Sequence, residues 1–247
     1  MNTKNSKIAY IIDRVLRILR VIRAPIVRTI KPGSAWPLWK NNQYPLEPIS
    51  LKYGYDRGTP IDRSYIEDFI LKYQHLIKGV CLEVHDTAYL KKYGGSNVTK
   101  ADALDVDTSN GLANVFGDLR NLKGVVADNT YDCLVINHTL NLLDDIESGI
   151  GECYRILKPG GTLLVTLPGP IAPVNDSKLS YWRLTKNAAR YLMAKHFDLN
   201  KTIVETYGNV VAGQAFLTGL SAEELTKEEI MHHDPRFPIA VTIKATK

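Results

Sequence analysis

The stretch from Asp128 to Gly169, DNTYDCLVINHTLNLLDDIESGIGECYRILKPGGTLLVTLPG, leaves this chain few ways to fold. CLVIN (Cys133–Asn137) is a short apolar run with β-branched residues, suited to a strand covered on both faces. Leu140, Leu143, Ile146, Ile150 and Cys153 then recur at helical spacing, and Ile156 and Leu157 extend the stripe. Lys158-Pro159-Gly160-Gly161 predicts the end of that helix, because Pro cannot continue it and Gly supplies the positive φ of a turn. TLLVTL (Thr162–Leu167) is a second buried strand. Strand, crossover helix and strand make a right-handed βαβ unit with a parallel pair.

These residues resemble the fourth and fifth strands of class I S-adenosylmethionine-dependent methyltransferases. The likeness rests on the Tyr-Asp opening, the aliphatic strand ending in a polar pair, the helix closing on RILKPGG and the aliphatic strand after it. Lys78–Val84 (KGVCLEV) resembles that family's first strand, which ends on an acid, here Glu83. Val98-Thr99-Lys100-Ala101-Asp102 resembles the second strand, ending on Asp102. An acid about 20 residues beyond the first turn accepts from ribose hydroxyls in nucleotide-binding α/β folds. Asp118, in Gly117-Asp118-Leu119, stands where the family places an acid near adenine.

The resemblance runs from roughly Lys78 to the C-terminus. It implies a Rossmann-like three-layer sandwich, with a mostly parallel seven-stranded sheet and a C-terminal antiparallel hairpin. It also implies S-adenosylmethionine as cofactor, held by Glu83, His85, Asp102, Asp118 and Asn137. One departure stands out. After the first strand the family carries a glycine-rich turn; here the turn reads Glu83-Val84-His85-Asp86-Thr87-Ala88-Tyr89, with no glycine before Gly94-Gly95. His85 where glycine is expected should narrow the pocket. The cofactor then binds in an adjusted pose, or the site serves another purpose.

Composition is that of a globular chain: 247 residues, 45% hydrophobic and 23% charged, enough for a single large core with an N-terminal extension. Three widely spaced cysteines, two of them in expected buried strands, point to reduced thiols in a cytoplasmic protein, and no metal-ligand spacing appears. His232-His233-Asp234 reads as solvated. Charge is uneven. Residues 1–31 hold eight basic residues against Asp13, a net +7, so the remainder of a chain totalling +5 carries −2. The body therefore lacks the basic surface that nucleic acid requires.

Domain organisation is expected as a basic helix and a Pro/aromatic-rich arm over 1–60, followed by a methyltransferase-like domain over 61–247. Residues 6–24 interleave arginines with Ile8, Ile12, Val15, Leu19 and Ile22 at helical spacing. Arginines interrupt the run too often for a membrane span. The helix lies on an anionic inner-membrane surface, or it docks on a partner or the domain. The arm carries Trp36, Trp39, Tyr44, Tyr53 and Tyr55, more aromatic surface than a solvated linker needs. An amphipathic helix over 61–77, capped by Thr59 or Asp62, should lead into the first strand. Farther on, a helix is expected over 186–196, strands over 201–207 and 239–245, and mostly helix between those strands.

Asn137 and His138 close the fourth strand. His138 is a candidate general base for a hydroxyl acceptor, or a residue that merely closes the strand. Trp182 and Arg183 follow the fifth strand: Trp can stack on a sugar face and Arg can hold a phosphate or carboxylate, though simple packing is the alternative. The motifs RGTPIDR, YWRLT and TYGNV resemble a bacterial methyltransferase subset associated with surface glycans. That resemblance implies methyl transfer to a hydroxyl or carboxyl of a sugar-containing acceptor. The alternative is a non-catalytic module in a glycan-assembly complex, which the glycine-poor turn favours.

Overall fold

In the computed structural model, which describes residues 47–173 and 180–247, seven strands form one sheet. They are β1 (Gly79–Val84), β2 (Val98–Asp105), β3 (Val115–Phe116), β4 (Tyr131–Asn137), β5 (Leu157–Pro168), β6 (Thr202–Tyr207) and β7 (Ala240–Thr246). Their order is β3-β2-β1-β4-β5-β7-β6. Every pairing is parallel except those of β7, which runs antiparallel to both β5 and β6. This is the expected Rossmann-like sheet. Its last two strands pair antiparallel, although residues 208–239 separate them in sequence. The expected helix over 6–24, and Trp36, Trp39 and Tyr44, lie outside the described residues.

The main helices are α1 (Ile61–Tyr73), α2 (Ile146–Ile156), α3 (Lys186–Met193), α4 (Val210–Leu217) and α5 (Lys227–Met231). α2 is the crossover between β4 and β5. Its N-terminus is capped by Asp145, which accepts from Ser148 N–H, and it buries Ile146, Ile150, Cys153 and Ile156. Those side chains join Leu134, Ile136, Leu163, Val165, Val241 and Ile243 of the sheet, with Ala189 and Met193 of α3, in one apolar core. Thr185 caps α3 by accepting from Ala188 N–H. Cys81 and Cys133 are register partners on β1 and β4, both buried free thiols, as is Cys153.

Lys158-Pro159-Gly160-Gly161 ends the helix but does not interrupt the strand. The run is the extended start of β5, where pairing with β4 shifts register and Gly160 has φ +80. Gly79, where β1 begins, also needs its glycine. At φ +75, a Cβ there would sit 2.5 Å from Asp132 Oδ2, the atom that accepts from Val80 N–H.

The described chain divides into two compact units. The sheet unit comprises residues 66–170, 180–207 and 240–247 among those described; the other comprises 47–65, 171–173 and 208–239. In the second unit the Arg57 guanidinium pairs with Glu224, and the Thr59 hydroxyl donates to Glu223 at 2.6 Å. Asn209 caps α4 through Ala212 N–H. His233 is half-buried rather than solvated, its ring edge-on to Tyr65 with centroids 5.6 Å apart.

Candidate active site

Strand order reverses at β1: β2 and β3 continue to one side, β4 and β5 to the other. In open parallel sheets such a switch point opens a crevice beyond the carboxyl ends of the strands, and ligands bind there. Here the two strand ends flanking the crevice are followed by His85 and His138, both with positive φ, +77 and +44. L-residues with side chains seldom hold such a conformation, and where they do the site is often functional. His85 therefore takes the backbone path that glycine would take, but brings an imidazole with it.

Glu83, near the end of β1, is buried and turned onto the following turn. Its carboxyl group accepts from Tyr89 N–H at 3.3 Å and Leu90 N–H at 3.0 Å, so it holds the single helical turn Leu90–Gly94 against the strand. Burial pushes its carboxyl up to about 8, against the lowering effect of those two hydrogen bonds. His85 Nδ1 lies 3.1 Å from Asp105 Oδ2, and His85 N–H donates to Leu104 O at 2.8 Å.

The structure corrects the end of β2. The strand does not stop at Asp102 but continues three residues to Asp105. Asp102 pairs in register with Leu82, inside the sheet, and is 1% exposed. It accepts from Lys100 Nζ at 2.8 Å, Asn114 Nδ2 at 2.7 Å and the Tyr131 hydroxyl at 3.1 Å. Burial alone would raise its carboxyl, but those three donors hold it below the usual carboxylate range. Asp102 is thus a structural acid that ties β2 to β4 and to the approach to β3. Asp105 is the acid at the carboxyl end. Its Oδ1 accepts from Asp107 N–H at 3.0 Å and its Oδ2 from Asn110 Nδ2 at 2.7 Å. These bonds, with His85, outweigh desolvation and lower its carboxyl. Sequence could not separate the two acids, since both lie about 20 residues past the first turn, the spacing such sites use.

No helix occupies residues 106–114, between β2 and β3. The loop is built on side-chain turns instead: Asp107 accepts from Ser109 N–H, and Asn110 from Leu112 N–H. Val106 and Leu112 are left exposed. Beyond β3, Asp118 is clasped by Arg120, whose Nε lies 3.0 and 3.1 Å from its two oxygens and which also reaches Asp144. That pairing keeps the Asp118 carboxyl low.

On the other side of the switch point, Asn137 Oδ1 accepts from the Thr166 hydroxyl at 3.1 Å. Its Nδ2 is buried with no hydrogen-bond partner among the described residues. His138 N–H donates to Thr166 O at 2.9 Å. Trp182 packs against the core, and its indole N–H donates to Leu143 O at 2.7 Å. Arg183 Nη1 donates to Ser180 Oγ at 2.7 Å. The structure thus brings Glu83, His85, Asn137 and His138 to the ends of the central strands. Trp182 and Arg183 lie beside the turn after β4.

A sheet of this order defines a Rossmann-like α/β protein, a fold whose ligands bind beyond the strand ends at the switch point, where these side chains lie. Residues 80–165 match a family model described as a methyltransferase domain. A S-adenosylmethionine-dependent methyltransferase from Archaeoglobus fulgidus superposes with TM-score 0.51 at 13% identity, over 77% of this chain and 96% of that one. The [4+2]-cyclase SpnF superposes with TM-score 0.51 at 14% identity, covering 95% of both chains. In sequence, the ubiquinone/menaquinone biosynthesis C-methyltransferase UbiE of Klebsiella pneumoniae is 51% identical over 39 residues. That match spans 16% of this chain and 16% of the relative.

The residues present fit S-adenosylmethionine. An acid ends β2, the β1 turn keeps the glycine-like backbone path, and a buried amide donor at the end of β4 awaits an acceptor. Asp105 would hold the ribose and Asn137 Nδ2 a polar group of the ligand.

Proposed function

We propose that the protein transfers the methyl group of S-adenosylmethionine to a hydroxyl or carboxyl of a sugar-containing acceptor. The observation that carries the donor is the methyltransferase-domain match over the segment that builds the switch point. The cofactor supplies a methyl group already activated on a sulfonium. What this chain contributes is alignment and exclusion of water, which account for much of the rate of such a displacement. Asp105 accepts from the ribose, Asn137 donates across the crevice, and His138 takes the proton from a hydroxyl acceptor. For the acceptor, support comes from the likeness of RGTPIDR, YWRLT and TYGNV to a glycan-associated subset.

A second reading, a non-catalytic module, is favoured by one feature: the imidazole of His85 stands where the cofactor turn should be open. Incubating the full chain with donor labelled in its methyl group and a bacterial glycan fraction distinguishes the two. Label should enter the saccharide and should not when donor and glycan are incubated without the chain. Donor that stays intact with every saccharide supplied would leave the module.

No described helix is long and apolar enough to cross a membrane. The +7 carried by residues 1–31 supports a location at an anionic lipid surface, near lipid-linked acceptors. The full chain should co-sediment with anionic vesicles in preference to neutral ones, and equal partition would overturn that location.

A further inference from the structure

We propose that His85 is a latch on the ribose acceptor, a side chain that competes with the donor for Asp105 and so sets how tightly the crevice binds it. This rests on the donor site proposed above. A carboxylate offers about four acceptor positions. Asp105 already spends three: Asp107 N–H on Oδ1, and Asn110 Nδ2 and His85 Nδ1 on Oδ2. A ribose diol needs two of them, so one donor must leave.

The three donors are not equally movable. Asp107 donates from backbone. Asn110 Nδ2 spends both its hydrogens, on Asp105 Oδ2 and on His85 O at 2.8 Å, so His85 Nδ1, 3.3 Å from it, carries the proton that it gives to Asp105. The His85 side chain is 69% exposed and attached only through Nδ1, so rotation about its own side-chain bonds frees the acid while the backbone stays in place. The turn's conformation reinforces this. Asn110 holds the His85 carbonyl and Leu104 O holds its N–H, fixing φ at +77, which aims the imidazole at the neighbouring strand end. The latch is therefore built by the turn, and its removal should improve the site.

Calorimetric titration with S-adenosylhomocysteine into the full chain and into His85→Gly and His85→Ala tests this. Both variants should bind roughly tenfold more tightly than wild type, the effect of releasing one charge-assisted hydrogen bond. Alanine matters because it retains the positive-φ strain while removing the imidazole. Tightening in Gly alone would assign the effect to backbone and overturn the latch. Ordinary binding by wild type with no gain in either variant would overturn it too, while leaving the donor site intact. No binding by wild type or by either folded variant would instead remove the donor site itself. In wild type, the imidazole nitrogen resonances of His85 should move with ligand saturation; fixed resonances beside normal binding contradict the latch.

Discussion

Replacing Glu83 with Gln should flatten the dependence of folding stability on pH between about 5 and 8, where the wild type loses roughly 2–4 kcal/mol. Burial raises the Glu83 carboxyl from 4.5 to about 8. Across that window the folded chain keeps a proton that the unfolded chain has released. Its stabilising effect is complete below the unfolded value, shrinks by up to about 1.4 kcal/mol per pH unit, and is gone above the folded one. Asp102 and Asp105 act in the opposite sense, because their carboxyls are held low, and they act only in more acid solution. Glutamine stays neutral and retains an oxygen for Leu90 N–H, so the difference between the two proteins isolates this one group. Denaturant unfolding of both at pH 5 and pH 8 measures it. Parallel profiles would mean that Glu83 is ionised in its pocket.

The second large effect separates the two acids of β2. Asp102→Ala should cost about 1–3 kcal/mol of stability, because the buried Tyr131 hydroxyl loses its acceptor, while the Asn114 amide belongs to an exposed residue and can turn to water. Its lost pairing with Lys100 matters little, since that ammonium is exposed. Affinity for S-adenosylhomocysteine, measured on the folded fraction, should be unchanged. Asp105→Ala should show the reverse, near-normal unfolding with weakened binding. Equal loss of binding in both would restore Asp102 to the site.

Much of this molecule is legible in its sequence. The βαβ unit over 128–169 depends on periodicity and on a helix stop, both local properties, and the structure reproduces it with longer strands and a shorter helix: Leu140–Leu142 form a separate 3-10 turn and Leu157 opens β5. The ends of strands are harder to read. Asp102 and Asp105 lie on one alternating run, VTKADALD, and nothing local says where pairing stops. The answer lies in Tyr131 and Asn114, distant in sequence, whose polar atoms claim Asp102 for the interior. The positive φ of His85 was equally hidden, because histidine, though enriched there relative to most side chains, takes that conformation at only a small minority of positions. Only the hydrogen bonds from Asn110 and to Leu104 impose it. Trp182 shows the same limit: its ring composition fits a sugar face, yet in the fold its N–H secures the turn after β4.

The proposed donor site lies at the carboxyl ends of β1, β2 and β4, with Asp105 as the ribose acceptor. Its most direct test is calorimetric titration of S-adenosylhomocysteine into the wild-type chain and Asp105→Asn. The amide keeps the side chain's shape while discarding its charge. Wild type should give a saturable one-to-one isotherm, and Asp105→Asn should bind at least roughly tenfold more weakly, the loss of a charge-assisted pair. Indistinguishable isotherms for the two proteins, or no heat with either, would contradict it.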